Sequence, residues 1–309
     1  MYEHGKDLPA NLALAVGRLA GAFEMAPDAT RAAAAVRRLQ VAWDTYLRDA
    51  EAGDAGPEHG VAEGSLLASH DPRRDGVLLW LASHGAPPIA TAAQLAVQAV
   101  CAERRLPAVD LELLAIAVDR LPPVLDAPTM ADIHTWIWSY VDALWQDPQF
   151  AEEKGETYVL ACPGHRYEGW RSAEPSGCWA ANLALTSRQM VSGIPLPAGL
   201  LSREIFRLDL DLQERQVALY ANWRHAVERE QAAVFDVHRA LAKGEAALAG
   251  LSKNARARDG WALIVAFVDV RRSQLMRILD LSRAGAWLIV GQLADSELVH
   301  VGRDGQISI

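Results

Sequence analysis

Apolar side chains recur with helical spacing along almost the whole chain, at intervals of three and four residues. The clearest such face comprises Val36, Leu39, Trp43, Tyr46 and Leu47. Gly or Pro ends most of these patterns. They predict helices at residues 29–53, 76–85, 89–105, 109–121, 129–147, 177–193, 202–250 and 252–291. Residues 202–250 form either one very long helix or two with a break near Asp209–Asp211. The pattern predicts an all-α fold, a helical bundle or barrel.

Three segments depart from this pattern. Residues 159–167 (VLACPGHRY) have strand-like character, and the tail 297–309 is either a short hairpin-like end or frayed. Gly, Pro, His and Asp are scattered through residues 51–75, which predicts an exposed connection. No polar linker is long enough to impose a boundary, and no internal repeat indicates a solenoid. Residues 1–309 are therefore predicted to form a single domain.

Charge and cysteine content restrict the location and the partners. The formal charge is −9, and no basic tract is present. This argues against a nucleic-acid partner, although a negative net charge is compatible with a local basic patch. Three Cys residues are too few for a disulfide framework and are typical of cytosolic thiols. No signal peptide and no long apolar run are found, so we expect a cytoplasmic protein without a membrane span.

The aromatic composition is unusual, with ten Trp beside only five Phe. Trp is large and carries a polar N–H group, so it is harder to place in a core than Phe. This excess indicates either wide gaps between helices or an aromatic cavity. Phosphate-binding Gly loops, nucleophile elbows and zincin motifs have no match in the sequence.

Oxygen-bearing side chains occur at two helical positions with informative spacing. Asp119 ends an apolar helix, and Asp126 follows after a Pro-Pro stop. Asn222 and Glu230 are eight residues apart, so they lie on one face of a helix. Taken alone, Asp119 is typical of a solvated helix end, and the other two of an exposed, charged helix face.

Between these positions, Tyr167 and Arg171 are spaced to lie on one helical turn, ahead of a break at Ser176–Gly177. In this order the segments resemble those of the bacterial class I terpene synthases, over about residues 75–290. That family has an Asp-rich motif, an Arg that senses diphosphate, and a later helix with Asn, Ser or Thr, and Glu. Here Arg120 follows Asp119 where the family has adjacent aspartates, so we expect fewer Mg²⁺ ions, or none.

The resemblance implies a lyase that ionises an isoprenyl diphosphate (C15 or C20) with Mg²⁺ and guides the carbocation in an aromatic pocket. The implied Mg²⁺ ligands are Asp119, Asn222 and Glu230. The implied substrate-binding residues are Arg171, Arg229, Trp80, Trp136 and Trp138. The implied catalytic residues are Arg171, Tyr167, Trp179 and Trp223. The partners expected on this hypothesis are the small-molecule substrate and a second copy in a homodimer, without nucleic acid.

Two alternatives stay open. The same fold could carry out metal-independent chemistry on a terpenoid-like apolar substrate, or the chain could be a non-catalytic helical binding protein. Trp136 and Trp138 are two residues apart, so we do not expect both to face one core. The other Trp residues are expected in the core or between helices, namely Trp43, Trp145, Trp261 and Trp287.

Overall fold

The fold is described from a computed structural model. The structure describes residues 9–50, 66–67, 71–100, 109–125, 129–154, 156–162, 165–171, 176–188, 190–191, 194–252, 255–302 and 305–309. All structural statements below concern these residues.

Helices dominate the described ranges, which confirms the mainly helical character. They are α1 (Ala10–Met25), α2 (Asp28–Ala50), α3 (Pro72–His84), α4 (Pro87–Val100), α5 (Leu111–Asp119), α6 (Met130–Trp145), α7 (Cys178–Arg188), a 3-10 helix (Arg203–Phe206), α8 (Leu212–Ala247), α9 (Ala257–Phe267), α10 (Arg272–Ile278) and α11 (Arg283–Asp295). The alternative with a break near Asp209–Asp211 is the one observed, because α8 begins at Leu212. The region 252–291 divides into three short helices rather than long ones.

Short antiparallel sheets accompany the helices. Their strands are β1 (Glu156–Cys162), β2 (His165–Arg171), β3 (Met190–Val191), β4 (Ile194–Pro195), β5 (Val270–Arg271), β6 (His300–Val301) and β7 (Gln306–Ser308). β1 pairs with β2, β3 with β4, and β7 lies between β5 and β6. The strand-like character of residues 159–167 is thus confirmed, and the tail is the hairpin-like end rather than a frayed one.

Local side chains determine where several helices begin. Thr129 accepts a hydrogen bond from the backbone N–H of Asp132, and the Asp132 carboxylate accepts one from the backbone N–H of Thr129. This capping box satisfies N–H groups that would otherwise lack partners at the start of α6. Asp71 and Asp110 cap α3 and α5 in the simpler one-sided way.

The chain divides into two compact units. The first unit comprises Met1–Gly17, Val41–Gly64 and Asp110–Glu228, and the second comprises Arg18–Gln40, Ser65–Val109 and Arg229–Ile309. The helices α1, α2 and α8 contribute residues to both units. The single-domain prediction stays a prediction.

In the first unit, α6 is buried on more than one side. Trp136 donates a hydrogen bond from Nε1 to the carbonyl of Pro123 at 2.8 Å, whereas Trp138 lies beneath the guanidinium of Arg215 from α8. Both indoles are at most 4% exposed. The two residues therefore face different neighbours, as their spacing predicts, but neither lies at the surface, because both sides of this helix are covered.

In the second unit, a buried ion pair joins α2 to α8. Arg38 Nη1 lies 3.5 Å from Glu230 Oε1, and both side chains are at most 9% exposed. Near the other end of α8, Trp261 of α9 donates from Nε1 to the carbonyl of Ala240 at 3.0 Å. These contacts fix α8 against the neighbouring helices of the same unit.

The connection predicted over residues 51–75 is described only in part. Leu66 and Leu67 are buried, and α3 already begins at Pro72, with Arg74 and Asp75 buried in its first turn. These residues therefore do not belong to an exposed connection, because they pack as part of the second unit. Residues 51–65 and 68–70 lie outside the described residues.

The length and polarity of the helices bear on membrane insertion. Within the described ranges, none combines the length and the apolar composition that a bilayer crossing requires.

Candidate functional site

The helices α10 and α11 are joined by a turn of four residues, Leu279–Ser282. Asp280 stops α10 because it adopts a left-handed conformation, with φ at 49°. The N–H of Leu281 then reaches back to the carbonyl of Met276 at 2.9 Å. Ser282 starts α11 by accepting a hydrogen bond from the backbone N–H of Gly285 at 3.1 Å. Two capping devices in succession therefore produce a helix-turn-helix.

Other parts of the second unit hold this motif in place. Arg277 of α10 donates from Nη1 to the carbonyl of Ala99 at 2.7 Å, and Gln98 donates back to the carbonyl of Arg277 at 2.6 Å. On the other side, Arg256 donates to the carbonyl of Leu279 in the turn at 2.8 Å. The polar groups of α10 and of the turn are thus bonded to α4 and to the residue before α9.

One face of α11 packs into the unit and the other is exposed. Ala286, Ile289, Val290 and Leu293 are buried, with the spacing of one helical face. A Cβ on Gly260 of α9 would lie 2.7 Å from Ile289, so α9 and α11 pack closely here.

The outward face of α11 carries large apolar side chains. Trp287 is 52% exposed and Leu288 is 64% exposed. Of the two expected positions, the core is excluded by this exposure, and a contact between helices is observed, because Arg272 of α10 lies over the Trp287 ring. Its neighbours Ala286 and Ile289 take the inward positions, and the helical period of 3.6 residues turns Trp287 outward.

A small sheet completes the arrangement. Val270 of β5 pairs with Ile307 of β7, which also pairs with Val301 of β6. The side chain of Ile307 is fully buried, so β7 is the strand that anchors the sheet. Between β6 and β7 the N–H of Gly302 donates to the carbonyl of Gln306 at 2.7 Å. Residues 303–304 of this hairpin lie outside the described residues.

The motif is basic within an acidic chain. From Arg271 to the end of α11, the segment contains the four arginines Arg271, Arg272, Arg277 and Arg283, and two acidic residues, Asp280 and Asp295. Arg271 and Arg283 are exposed. The local excess of positive charge contrasts with the formal charge of −9 for the whole chain.

The predicted oxygen ligands have other partners or an exposed position. Asp119 is exposed at the end of α5. Asn222 donates from Nδ2 to the carbonyls of Gly199 and Leu200, at 3.0 and 2.6 Å. Glu230 is the partner of the buried Arg38. Asp126 lies outside the described residues.

The side chains of Asp119, Asn222 and Glu230 are the implied ligands of Mg²⁺. In the part of the chain that the structure describes, no three His, Cys, Asp or Glu residues gather closely enough to hold a metal ion. The role of Asp119, Asn222 and Glu230 as Mg²⁺ ligands stays a prediction.

The segment with Tyr167 and Arg171 folds differently from the expectation. Both residues lie in β2, where Tyr167 is opposite Leu160 and Arg171 is opposite Glu156. Their placement on one helical turn is therefore wrong. A Pro-Gly sequence between β1 and β2 favours a turn, and the two flanking segments can then pair as strands. The side chains of Tyr167 and Arg171 lie outside the description.

The Trp residues implied for a hydrocarbon pocket are buried, at 1–7% exposure; they are Trp80, Trp136, Trp138, Trp179 and Trp223. Several make contacts typical of a core. Trp80 stacks on His84 in α3, and Trp179 meets the ring of Tyr46 edge-on. Arg229 is half-buried on α8. Their roles in substrate binding and catalysis stay predictions.

A surface groove of about 520 Å³ lies along the start of α8 in the first unit. Charged residues such as Glu204, Arg207, Asp211 and Glu214 line it, with Val217 and Ala221. Its described lining contains no Trp, so this groove is not the aromatic pocket implied by the resemblance.

The sequence patterns did not predict the helix-turn-helix. Its turn carries no Gly or Pro, because Asp280 adopts the left-handed conformation that Gly usually supplies. The signal that could have found it is the charge pattern of residues 271–295, with four arginines and two acidic residues, followed by the hairpin-like tail.

Comparisons with known proteins identified no related protein. No protein-family model matches the chain, and no curated protein matches it.

Proposed function

We propose that the chain binds double-stranded DNA through α10 and α11. The observation that carries this proposal is the order α9–β5–α10–α11–β6–β7 with the sheet order β5-β7-β6. This is the order of a winged helix-turn-helix, in which the second helix of the motif enters the major groove. Here α11 is that second helix, and the β6–β7 hairpin is the wing.

The charge distribution supports the proposal. Binding to the phosphate backbone needs cations, and two exposed arginines lie at the starts of the two helices: Arg271 directly precedes α10, and Arg283 is the first residue of α11. Backbone N–H groups at helix starts also favour phosphate oxygens. The overall negative charge of the chain led to the opposite prediction, that nucleic acid is not a partner. Net charge averages over the whole chain, whereas binding depends on the local surface.

The test is DNA binding by the full-length chain. Fluorescence anisotropy of a labelled duplex of mixed sequence, about two helical turns long, is measured between about 50 and 200 mM salt. We expect affinity to fall steeply as salt rises. Arg271→Ala and Arg283→Ala should each weaken binding and lower the slope of log K against log salt by about one.

The matched control is Arg224→Ala. Arg224 is an exposed arginine of the first unit, paired with Glu228 at 3.5 Å, and it lies outside the motif. It should leave the salt slope unchanged. The proposal fails if the wild-type chain shows no salt-dependent binding, or if the three variants behave alike.

A class I terpene synthase activity remains a second proposal. It is supported by the order of the segments around Asp119, Arg171, Asn222 and Glu230 and by the mainly helical fold. The test is incubation with Mg²⁺ and geranyl, farnesyl or geranylgeranyl diphosphate, followed by mass spectrometry. Absence of both product and diphosphate release with all three substrates would exclude it. Activity on a neutral terpenoid that survives EDTA would favour the metal-independent alternative.

A further inference from the structure

The exposed face of α11 is apolar at the positions where a DNA-binding helix is usually polar. Ser282 caps the helix, Arg283 is its first residue, and Ala284, Trp287 and Leu288 follow on the exposed side. More than half of the Trp287 and Leu288 side chains is in contact with solvent. Large adjacent apolar side chains at a surface indicate a binding contact.

The position of these residues limits what they contact. In a helix-turn-helix, residues near the start of the second helix reach the base edges in the major groove. The one apolar group on those edges is the C5 methyl of thymine. Trp287 and Leu288 lie in the first two turns of α11, within this contact region.

On the basis of the proposed function, we propose that Trp287 and Leu288 recognise thymine methyl groups, so that α11 selects T-containing sites in DNA. Arg283, one turn earlier, is placed to contact an adjacent guanine, whose O6 and N7 accept hydrogen bonds from Arg. The same site disfavours RNA, because uracil has no methyl group and the A-form major groove is too narrow for a helix.

The surrounding charges favour DNA over a second protein copy as the occupant of this face. Arg272 lies over the Trp287 ring, Arg283 is exposed one helical turn before Trp287, and Arg271, the neighbour of Arg272 in the chain, is also exposed. A self-complementary contact would bring these arginines near their own copies, and their like charges would repel. The phosphates on either side of a DNA groove are negatively charged, so they complement the charge of these arginines.

The experiment first selects preferred duplexes from a random pool with the full-length chain. Each thymine of the selected site is then replaced by deoxyuridine, which removes only the methyl group. One or two replacements should weaken binding about fourfold each, as expected for loss of one buried methyl contact. Leu288→Ala and Trp287→Ala should each lose the sensitivity to at least one of these replacements, and the double variant should lose it for all of them.

Leu208→Ala is the matched control, because Leu208 is 57% exposed in the first unit. It should keep the full sensitivity to deoxyuridine. If the wild-type chain binds duplexes tightly and ignores every replacement, the thymine inference is wrong and DNA binding stands. If no duplex binds, both the thymine inference and the proposed DNA binding are wrong. Dimerisation that Leu288→Ala abolishes, without an effect of deoxyuridine, would assign the face to a second copy and overturn the inference.

Discussion

The guanidinium carbon of Arg272 lies 3.5 Å from the centroid of the Trp287 ring. A cation at the start of α10 thus covers part of an exposed aromatic ring on α11. The contact connects the two helices of the motif on the same side as the proposed DNA surface.

This contact predicts an energetic coupling between the two helices. A cation–π pair at an exposed site contributes about 0.5–1 kcal/mol. In a double-mutant cycle with Arg272→Gln and Trp287→Ala, we expect a coupling of this size in the free energy of unfolding by urea. A cycle with Arg224→Gln in place of the α10 variant serves as the control. A coupling near zero for Arg272 and Trp287 would show that the contact does not stabilise the fold.

The buried pair of Arg38 and Glu230 predicts a larger effect. Glu230→Gln leaves the Arg38 charge buried opposite a neutral amide, which should cost about 3–5 kcal/mol of unfolding free energy. Replacing both, with Arg38→Met and Glu230→Leu, should recover most of this loss, since neither buried charge then remains. The measurement is urea denaturation of the three variants.

The same pair separates a structural role of Glu230 from a metal-binding one. If Glu230 acts only through Arg38, adding Mg²⁺ should change the melting temperature of the wild type and of Glu230→Gln equally. A rise confined to the wild type would instead support Glu230 as a metal ligand.

Local pattern was sufficient to predict much of the fold. Val36, Leu39, Trp43, Tyr46 and Leu47 are all buried on one face of α2, as their spacing predicts. Periodicity reports which face of a helix is apolar, and this depends on adjacent residues alone. The break before α8 and the strands around residues 159–167 were likewise visible as local signals.

What failed depended on contacts between distant segments. Trp136 and Trp138 are both buried because α6 has Pro123 on one side and Arg215 on another, and no local pattern reports these neighbours. Asn222 has the spacing of a ligand, but its amide bonds to the carbonyls of a loop more than twenty residues earlier.

Asp49 predicts a dependence of stability on pH. Burial raises the pKa of Asp49 above its ordinary value of 3.8, although Arg48 opposes this. Between 3.8 and the raised value, the folded state retains a proton that the unfolded state releases. Raising the pH through this window therefore favours unfolding. The free energy of unfolding of the wild type, minus that of Asp49→Asn, should therefore decrease as the pH rises from about 4 towards neutrality.

Asp209 provides a control of opposite sign. A hydrogen bond from Arg207 lowers the pKa of Asp209 below 3.8, so its contribution is present above that pH and is lost as the pH falls. The difference between wild type and Asp209→Asn should therefore decrease on acidification below about 4. A difference for Asp49→Asn that grows with pH would contradict the prediction and indicate that Arg48 stabilises the carboxylate more than burial penalises it.

Gly244 predicts a steric limit on the packing of α8 against α9. A Cβ at this position would lie 1.9 Å from Nε1 of Trp261, whose hydrogen bond to Ala240 fixes the indole in place. Gly244→Ala should gain about 1 kcal/mol from helix propensity. It should lose more, because overpacking costs about 1–3 kcal/mol and the displaced indole loses its hydrogen bond. The net result in urea denaturation should be destabilisation.

The matched control is Gly21→Ala in α1, where a Cβ would meet no described atom within 4 Å. This variant should be stabilised by up to about 1 kcal/mol, because it gains propensity without a clash. In the Trp261→Leu background, Gly244→Ala should lose its penalty, since the smaller side chain leaves room for the methyl group. If Gly244→Ala and Gly21→Ala stabilise equally, α8 and α9 are not held together by this contact, and Trp261 has another position in solution.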